Sequence, residues 1–289
     1  MLDVRRLHKK YKNGFELKDI SFHLNPGDFA VLFGADDSGK TALLYHIMGL
    51  HHFRKGEILI DGRSLLRLTD EERKTVRFVP DSVCVEPITL KEYFATLALM
   101  YAEYDEEDAV DLCEYFGVDM TAKLTEMSEN ENKLAMIIGA MVTAPKLLIL
   151  DEPMNFLTAQ SGVKLLGFLK FLASRGMTIL ITSERAEEVQ DYCSHYLFLQ
   201  NGVIAHHGLV KEVFRSQKAV TIKGGNASMV QSLLGTPVAK SGAYVTYLYD
   251  QSTQSRSLAE VLGLIAPEDF RVEDLSLEEV LNKDYARWI

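Results

Sequence analysis

Residues 29–50 read FAVLFGADDSGKTALLYHIMGL, and this stretch decides the fold. Phe29 to Phe33 is an unbroken apolar run, the pattern of a strand buried on both faces. Ala42 to Leu50 places Leu43, Leu44, Ile47 and Leu50 at helical spacing. Between them, Gly34-Ala35-Asp36-Asp37-Ser38-Gly39-Lys40-Thr41 fits the pattern GxxxxGK[ST] in the strand–loop–helix setting that the pattern requires. A loop bounded by glycines turns successive backbone N–H groups inward, where they cradle phosphates. The helix that follows adds its positive end. Residues 34–42, from Gly34 to Ala42, are therefore the expected phosphate contacts, with Lys40 pairing the β and γ phosphates and Thr41 ligating Mg2+.

Further along, Lys146 to Pro153 (KLLILDEP) is a second buried strand, ending in two carboxylates. Open α/β sheets bind ligands at the carboxyl ends of their strands. Asp151 is expected to hold Mg2+, usually through water, and Glu152 to orient or deprotonate an attacking water. The plainer alternative is a carboxylate pair at a helix start, since Pro153 follows. Met177 to Thr182 is another buried strand, and Tyr196–Gln200 and Val203–His206 suggest a hairpin across Asn201-Gly202. Buried strands alternating with helices, such as Leu165–Leu172, mean an α/β fold with a mostly parallel sheet. Residues 88–142 change to helical spacing with few Gly or Pro, a helical insert of about 82–145. After about Gln217, strands at Lys218–Lys223 and Ala243–Tyr249 and helices at Ala227–Leu234 and Leu258–Ile265 suggest a small α+β domain. The expected division is 1–217 and 218–289.

Composition sets the outer limits. The chain of 289 residues is 47% hydrophobic and 25% charged, which excludes a largely disordered or collagen-like protein. No window of 18 apolar residues occurs, so the chain is not expected to span a membrane by itself. The start, MLDVRRLHKKYK, lacks an apolar secretory core, so the cytoplasm is the default expectation. A net charge of −10 repels free nucleic acid, and no nucleic-acid partner is expected. Cys84, Cys113 and Cys193 are scattered, and each is read as a small buried hydrophobe. The acidic run from Glu103 to Glu114 reads as a solvated helix face. His51-His52 and His206-His207 read as exposed loop pairs. Arg5, Arg6, Lys9, Lys10 and Lys12 form a basic cluster, either a solvated strand flank or a contact for an anionic surface.

Asp151 lies about 110 residues after the phosphate loop and Tyr11 about 25 before it. With GADDSGKT, GEILIDG (56–62), VPD followed by PITLKEYF, LLILDEP, and ILITSE followed by FLQNGVIAHHG, the chain resembles the ATP-binding subunits of ABC transporters over roughly 1–217. The last 70 residues resemble the small C-terminal domain on some drug and peptide exporters' ATPase subunits, through SLEEVL (276–281). The resemblance implies an α/β P-loop NTPase with a mostly parallel sheet, a helical insert and a small α+β C-terminal domain. It implies ATP and Mg2+ as cofactors and adenine stacked on Tyr11. Implied partners are a second ATP-binding subunit, in a homodimer or heterodimer, and integral-membrane permease subunits that hold the chain at the cytoplasmic face.

Several positions depart from the family pattern. Met127-Ser128-Glu129-Asn130-Glu131 stands where LSGGQ is expected, without its glycines. Asp81 replaces a glutamine and can still reach Mg2+ through water. Glu184 replaces a histidine; when ionised it cannot donate to a γ-phosphate and repels it. Thr158 replaces an aspartate, and Asp36 and Asp37 add charge to the loop. Three functions are weighed: an exporter-type ATPase subunit slowed by these changes, a nucleotide-gated pseudo-ATPase, and a soluble P-loop protein of translation or repair.

Overall fold

A computed structural model describes residues 1–82, 86–251 and 253–282. Cys84 lies outside them, as do the last residues of Leu277–Tyr285, which has helical spacing in the sequence. The chain divides into two compact units, residues 1–185 with 191–207, and residues 186–190 with 208–289.

In the first unit β1 (Leu2–Lys10), β2 (Glu16–Leu24), β3 (Phe29–Phe33), α1 (Lys40–Ile47), β4 (Lys55–Ile60), β5 (Arg63–Ser64), α2 (Asp70–Lys74) and β6 (Val76–Val79) come first. Then follow α3 (Leu90–Met100), α4 (Glu106–Phe116) and α5 (Glu129–Met141), the helices of the insert. They are succeeded by β7 (Leu147–Leu150), α6 (Ala159–Ser174), β8 (Thr178–Ser183), β9 (His195–Gln200) and β10 (Val203–Leu209). Two sheets result. One runs β2-β1-β4-β5, with its three pairings antiparallel. The other runs β10-β9-β3-β8-β7-β6, and β9, β3, β8, β7 and β6 pair in parallel.

The strands with unbroken apolar sequence are the central ones. Every residue of β3, β7 and β8 is buried, as expected for strands covered on both faces. Helix α1 buries Leu43, Leu44 and Ile47 in one core with Leu2, Leu7 and Ile58 of the antiparallel sheet and Leu32, Ile149 and Leu180 of the parallel one. Each such leucine contributes about 1.5–3 kcal/mol through removal from water. This core holds the start of α1 rigidly at the carboxyl end of β3. Strand β1 is expected from sequence only as the strand that the basic cluster flanks: bulges interrupt its register at Val4/Leu7 and Leu7/Lys9, so its charged residues alternate imperfectly. At the β9–β10 turn, Asn201 and Gly202 both take positive φ (49° and 74°), the geometry of a two-residue hairpin loop.

Helix α4 starts at Asp105, whose carboxylate accepts from the Glu107 and Asp108 amides at 2.8 and 3.0 Å. It buries Ala109, Cys113 and Phe116 and leaves its acids outside. The run is the solvated helix face that its spacing indicates. Cys113 and Cys193 are buried thiols.

The second unit contains α7 (Val210–Ser216), β11 (Gln217–Lys223), α8 (Ala227–Leu234), β12 (Ala239–Ser241), β13 (Tyr244–Asp250), α9 (Leu258–Ile265), β14 (Asp269–Asp274) and α10 (Leu277–Asn282). From β11 to β14 the order is β-α-β-β-α-β, and the antiparallel sheet runs β12-β13-β11-β14. This is the split β-α-β arrangement. Val220, Ile222, Tyr247, Val261 and Ile265 form a core of its own.

Candidate nucleotide site

The phosphate loop is shaped by its two glycines. A Cβ on Gly34 would collide with the Leu199 carbonyl of β9, and one on Gly39 with the Phe15 ring. Gly39 also has φ 104° as it opens α1, a conformation that side chains disfavour. Ala35, Asp36 and Asp37 are exposed at the loop's crest and Ala42 is half-buried behind it. The Ser38 hydroxyl is buried with no hydrogen-bond partner among the described residues.

Lys40 is 7% exposed. Its Nζ donates to the Gly34 carbonyl at 2.8 Å and lies 3.4 Å from Glu152 Oε1. Thr41 Oγ1 donates to Asp151 Oδ2 at 2.8 Å, and Thr182 Oγ1 donates to Asp151 Oδ1 at 2.7 Å. The same Thr182 oxygen accepts from the Glu152 amide at 2.7 Å. Glu152 has φ 42°, a strained left-handed conformation of the kind stored at functional sites. Burial pushes its carboxyl up from the ordinary value, against the opposing pull of Lys40. Asp151 and Glu152 therefore face the phosphate loop and begin no helix; α6 starts at Ala159, with Thr158 as its cap.

These groups fit a phosphate chain and a hard cation. The glycine cradle has no room for side chains, the buried Ser38 hydroxyl lacks an acceptor, and Thr41 and Asp151 converge as oxygen ligands. Comparison with known proteins agrees on the nucleotide. Residues 17–155 match the ABC transporter family model. The energy-coupling factor transporter ATP-binding protein EcfA2 of Lactobacillus johnsonii is 30% identical over 217 residues, covering 71% of this chain and 75% of that one. The chain belongs to the ABC transporter ATP-binding proteins. The ABC transporter ATP-binding protein YtrB of Bacillus subtilis is 25% identical over 285 residues, covering 97% of this chain and 96% of YtrB. A solved ATP-binding subunit of an ABC transporter superposes with a TM-score of 0.67 at 25% identity, covering 74% of this chain and 92% of that one. The chain is thus an ATP-binding subunit and an ATP hydrolase. Among the described residues, no helix is long and apolar enough to cross a membrane.

The other family positions are placed as follows in this ABC subunit. Tyr11 follows β1 and is half-buried; its hydroxyl lies 2.9 Å from His46 Nε2, and its ring lies 5.7 Å from that of Phe15. Asp81 follows β6, where Oδ1 accepts from Asn155 Nδ2 at 2.9 Å and lies 3.9 Å from Lys133 Nζ. Its carboxylate is thus engaged on the side of Asn155 and Lys133. Ser128 caps α5: its hydroxyl donates to Glu131 Oε2 at 2.7 Å and accepts from the Glu131 amide at 3.3 Å. Glu129 opens that helix, exposed. The Thr158 amide donates to Asn130 Oδ1 at 3.0 Å, which ties this segment to the start of α6.

Glu184 is exposed after β8, and its amide donates to Glu152 Oε2 at 3.3 Å. Its carboxyl is pushed up chiefly by a hydrogen bond with Asp36 across the loop mouth, then by burial and the Asp36 charge. The expectation for an ionised Glu184 was repulsion of the γ-phosphate; here its carboxyl is paired with that of Asp36.

Four neighbours escaped the sequence reading. Phe15 borders Gly39. Thr182 holds both carboxylate residues. Asn155 engages Asp81. Lys133 is 3% exposed, and its ammonium donates to the Pro80, Asp81 and Asp151 carbonyls at 3.1, 3.0 and 3.2 Å. Lys133 stands between the polar start of α5, Glu129 to Asn132, and its apolar run from Leu134, so its sequence setting does not set it apart from an exposed lysine.

Proposed function

We propose that this subunit binds MgATP in the Lys40 loop, closes against a second ATP-binding subunit and couples that closure and hydrolysis to a membrane permease, in export of peptides or drugs. The observation that carries the reading is the convergence of Lys40 on Glu152 and of Thr41 on Asp151. Backbone amides from Gly34 to Ala42 and the Ser38 hydroxyl receive the phosphates, Lys40 balances their charge, and Tyr11 and Phe15 flank the base. Thr41 and Asp151 hold Mg2+, which neutralises charge on the phosphates when bound. Glu152, with its raised carboxyl, orients the attacking water and accepts its proton; a base poised nearer neutrality is the more effective one. Residues 1–217 form the ATP-binding domain and 218–289 the accessory domain, at the cytoplasmic face of the membrane. The YtrB alignment, which extends through the C-terminal unit, supports an accessory domain shared with relatives. Relatives include importer, energy-coupling factor and Nod factor export proteins; export rests on the C-terminal resemblance.

The Asp36–Glu184 pair favours slow turnover. It sets carboxyl groups across the loop mouth, where the family pattern has a histidine donor. Loss of one charge-stabilising donor costs about 100-fold to 1,000-fold in rate. The test is phosphate release by the chain captured with its membrane partners, beside Glu152→Gln and Lys40→Ala. Release abolished in Glu152→Gln, with ATP affinity weakened in Lys40→Ala, is expected. Unchanged ATP affinity in Lys40→Ala would overturn the placement of the loop. No release from the unaltered chain, with ATP bound, would make the subunit a nucleotide-gated pseudo-ATPase.

A further inference from the structure

Three of the basic residues after the start of the chain do not simply flank a strand. Lys9, Lys10 and Lys12 meet Arg54, just before β4, and Lys55, its first residue, around one cleft of about 960 Å³. No carboxylate lines this cleft. Among the described residues, none of the five cations has a carboxylate oxygen within 4.0 Å. The nearby acids are already engaged: Glu16 with His8 at 2.9 Å and Lys18 at 3.6 Å, and Glu57 with Arg5 at 3.7 Å. In a chain of net charge −10, five uncompensated cations on one concavity repel one another without a counter-charge.

The cleft is also organised. Lys9 Nζ donates to the His52 carbonyl at 2.5 Å and stands 5.7 Å from the centre of the Tyr11 ring. Tyr11 is itself held by His46 and set edge-on to His51, with ring centres 6.5 Å apart. No residue of the phosphate loop lines the cleft, so it is separate from the cradle that holds the phosphates of ATP.

We infer that this cleft is a second anion site, for a ligand carrying clustered phosphate groups. Lys and Arg around a concavity match phosphates gathered on one small group. Nucleic-acid phosphates carry one charge each and are spread along a strand, so they match an extended groove better than cations gathered around one concavity. The clustered phosphates belong either to a soluble polyphosphorylated molecule or to a phosphomonoester lipid headgroup. Leu50 and the lysine stems give apolar surface for the body of either.

The experiment uses the full chain with inorganic tripolyphosphate followed by calorimetric titration, and phosphatidic-acid vesicles followed by flotation. The phosphate loop binds tripolyphosphate too, so the titration is done in Lys40→Ala. Tripolyphosphate binding retained in Lys40→Ala, and weakened about tenfold by adding Lys12→Gln and Arg54→Gln, supports the site with a soluble ligand. Vesicle binding that the two glutamine substitutions abolish supports it with a headgroup ligand. Either substitution alone should weaken binding about threefold at low salt, and the difference should shrink as salt rises and screens the charges. Lys12→Gln/Arg54→Gln in the otherwise unaltered chain should keep its MgATP affinity, which shows that it is folded. The inference is overturned if Lys40→Ala abolishes all tripolyphosphate binding and vesicle binding is absent or indifferent to Lys12 and Arg54. Binding of an unstructured oligonucleotide alone, lost in the same variant, would overturn it in favour of a nucleic-acid surface.

Discussion

At the scale of single residues, the site depends on groups that carry no family motif. Lys133 sits in α5 yet bonds carbonyls after β6 and at the end of β7. Burial lowers its pKa, and Asp81, Asp151 and Glu152 oppose that. Lys133→Met removes the ammonium and leaves three carbonyls without their donor; a loss of about 1–3 kcal/mol is expected, read by denaturant unfolding, together with reduced phosphate release from a displaced Asp151. Unchanged stability and rate would mean that the lysine is a bystander. Glu184 makes the second residue-scale prediction. Its raised pKa means that the Asp36–Glu184 pair retains a proton to higher pH than an isolated glutamate. As pH rises through that range, the pair gains a negative charge facing the phosphate loop, so ATP affinity should fall. Glu184→Gln should remove this pH dependence, and Glu184→His should raise phosphate release. A titration with the same slope in Glu184→Gln would exclude the pair as its source.

At the scale of elements, caps decide where the insert's helices begin. Thr89 with Glu92 and Ser128 with Glu131 each form a reciprocal capping box. The carboxyls of Glu92 and Glu131 are lowered by their bonds to Thr89 and Ser128. A lowered folded pKa contributes stability that is present above the unfolded value of 4.5 and is lost as pH falls through the lowered one. Helical signal from the insert should therefore weaken first below that value, followed by circular dichroism, and Ser128→Ala should cost about 1 kcal/mol at neutral pH. The same box explains the altered signature. Ser128 directs its hydroxyl to Glu131, and Glu129 puts a carboxylate at the helix start. Glu129→Gly should raise phosphate release in the assembled transporter; no change would show that this segment does not border the partner's nucleotide.

At the scale of the whole molecule, two cores support two units. The first is built around α1 between its two sheets, the second around Val220, Ile222 and Val261. ATP should stabilise the unit that contains the phosphate loop. At about 100 times its dissociation constant, a ligand adds about 2.7 kcal/mol to the state that binds it. Calorimetry with MgATP should show the unfolding of the first unit, residues 1–185 with 191–207, shifted upward, and the shift should vanish in Lys40→Ala. A shift that persists in that variant would place the nucleotide elsewhere.

Local sequence determined much of this protein. The apolar runs of β3, β7 and β8, the glycine-bounded loop and the acidic face of α4 follow from patterns that act within a few residues, where periodicity and backbone freedom decide. So the parallel sheet, the helical insert and the order Lys40, Thr41, Asp151, Glu152 are legible in the sequence. Tertiary structure decided the rest, because those features depend on residues distant in the chain. Strand β1 was obscured by its bulges and is held by partners on β2 and β4. Thr182 became the clamp on Asp151 only because β7 and β8 are neighbours. Lys133 found its three carbonyls across 18 to 53 residues of chain, and Lys12 and Arg54 share a cleft only because the chain returns past β1 after α1. No periodicity records contacts of that range; they arise when packing of the core brings strand ends and turns together.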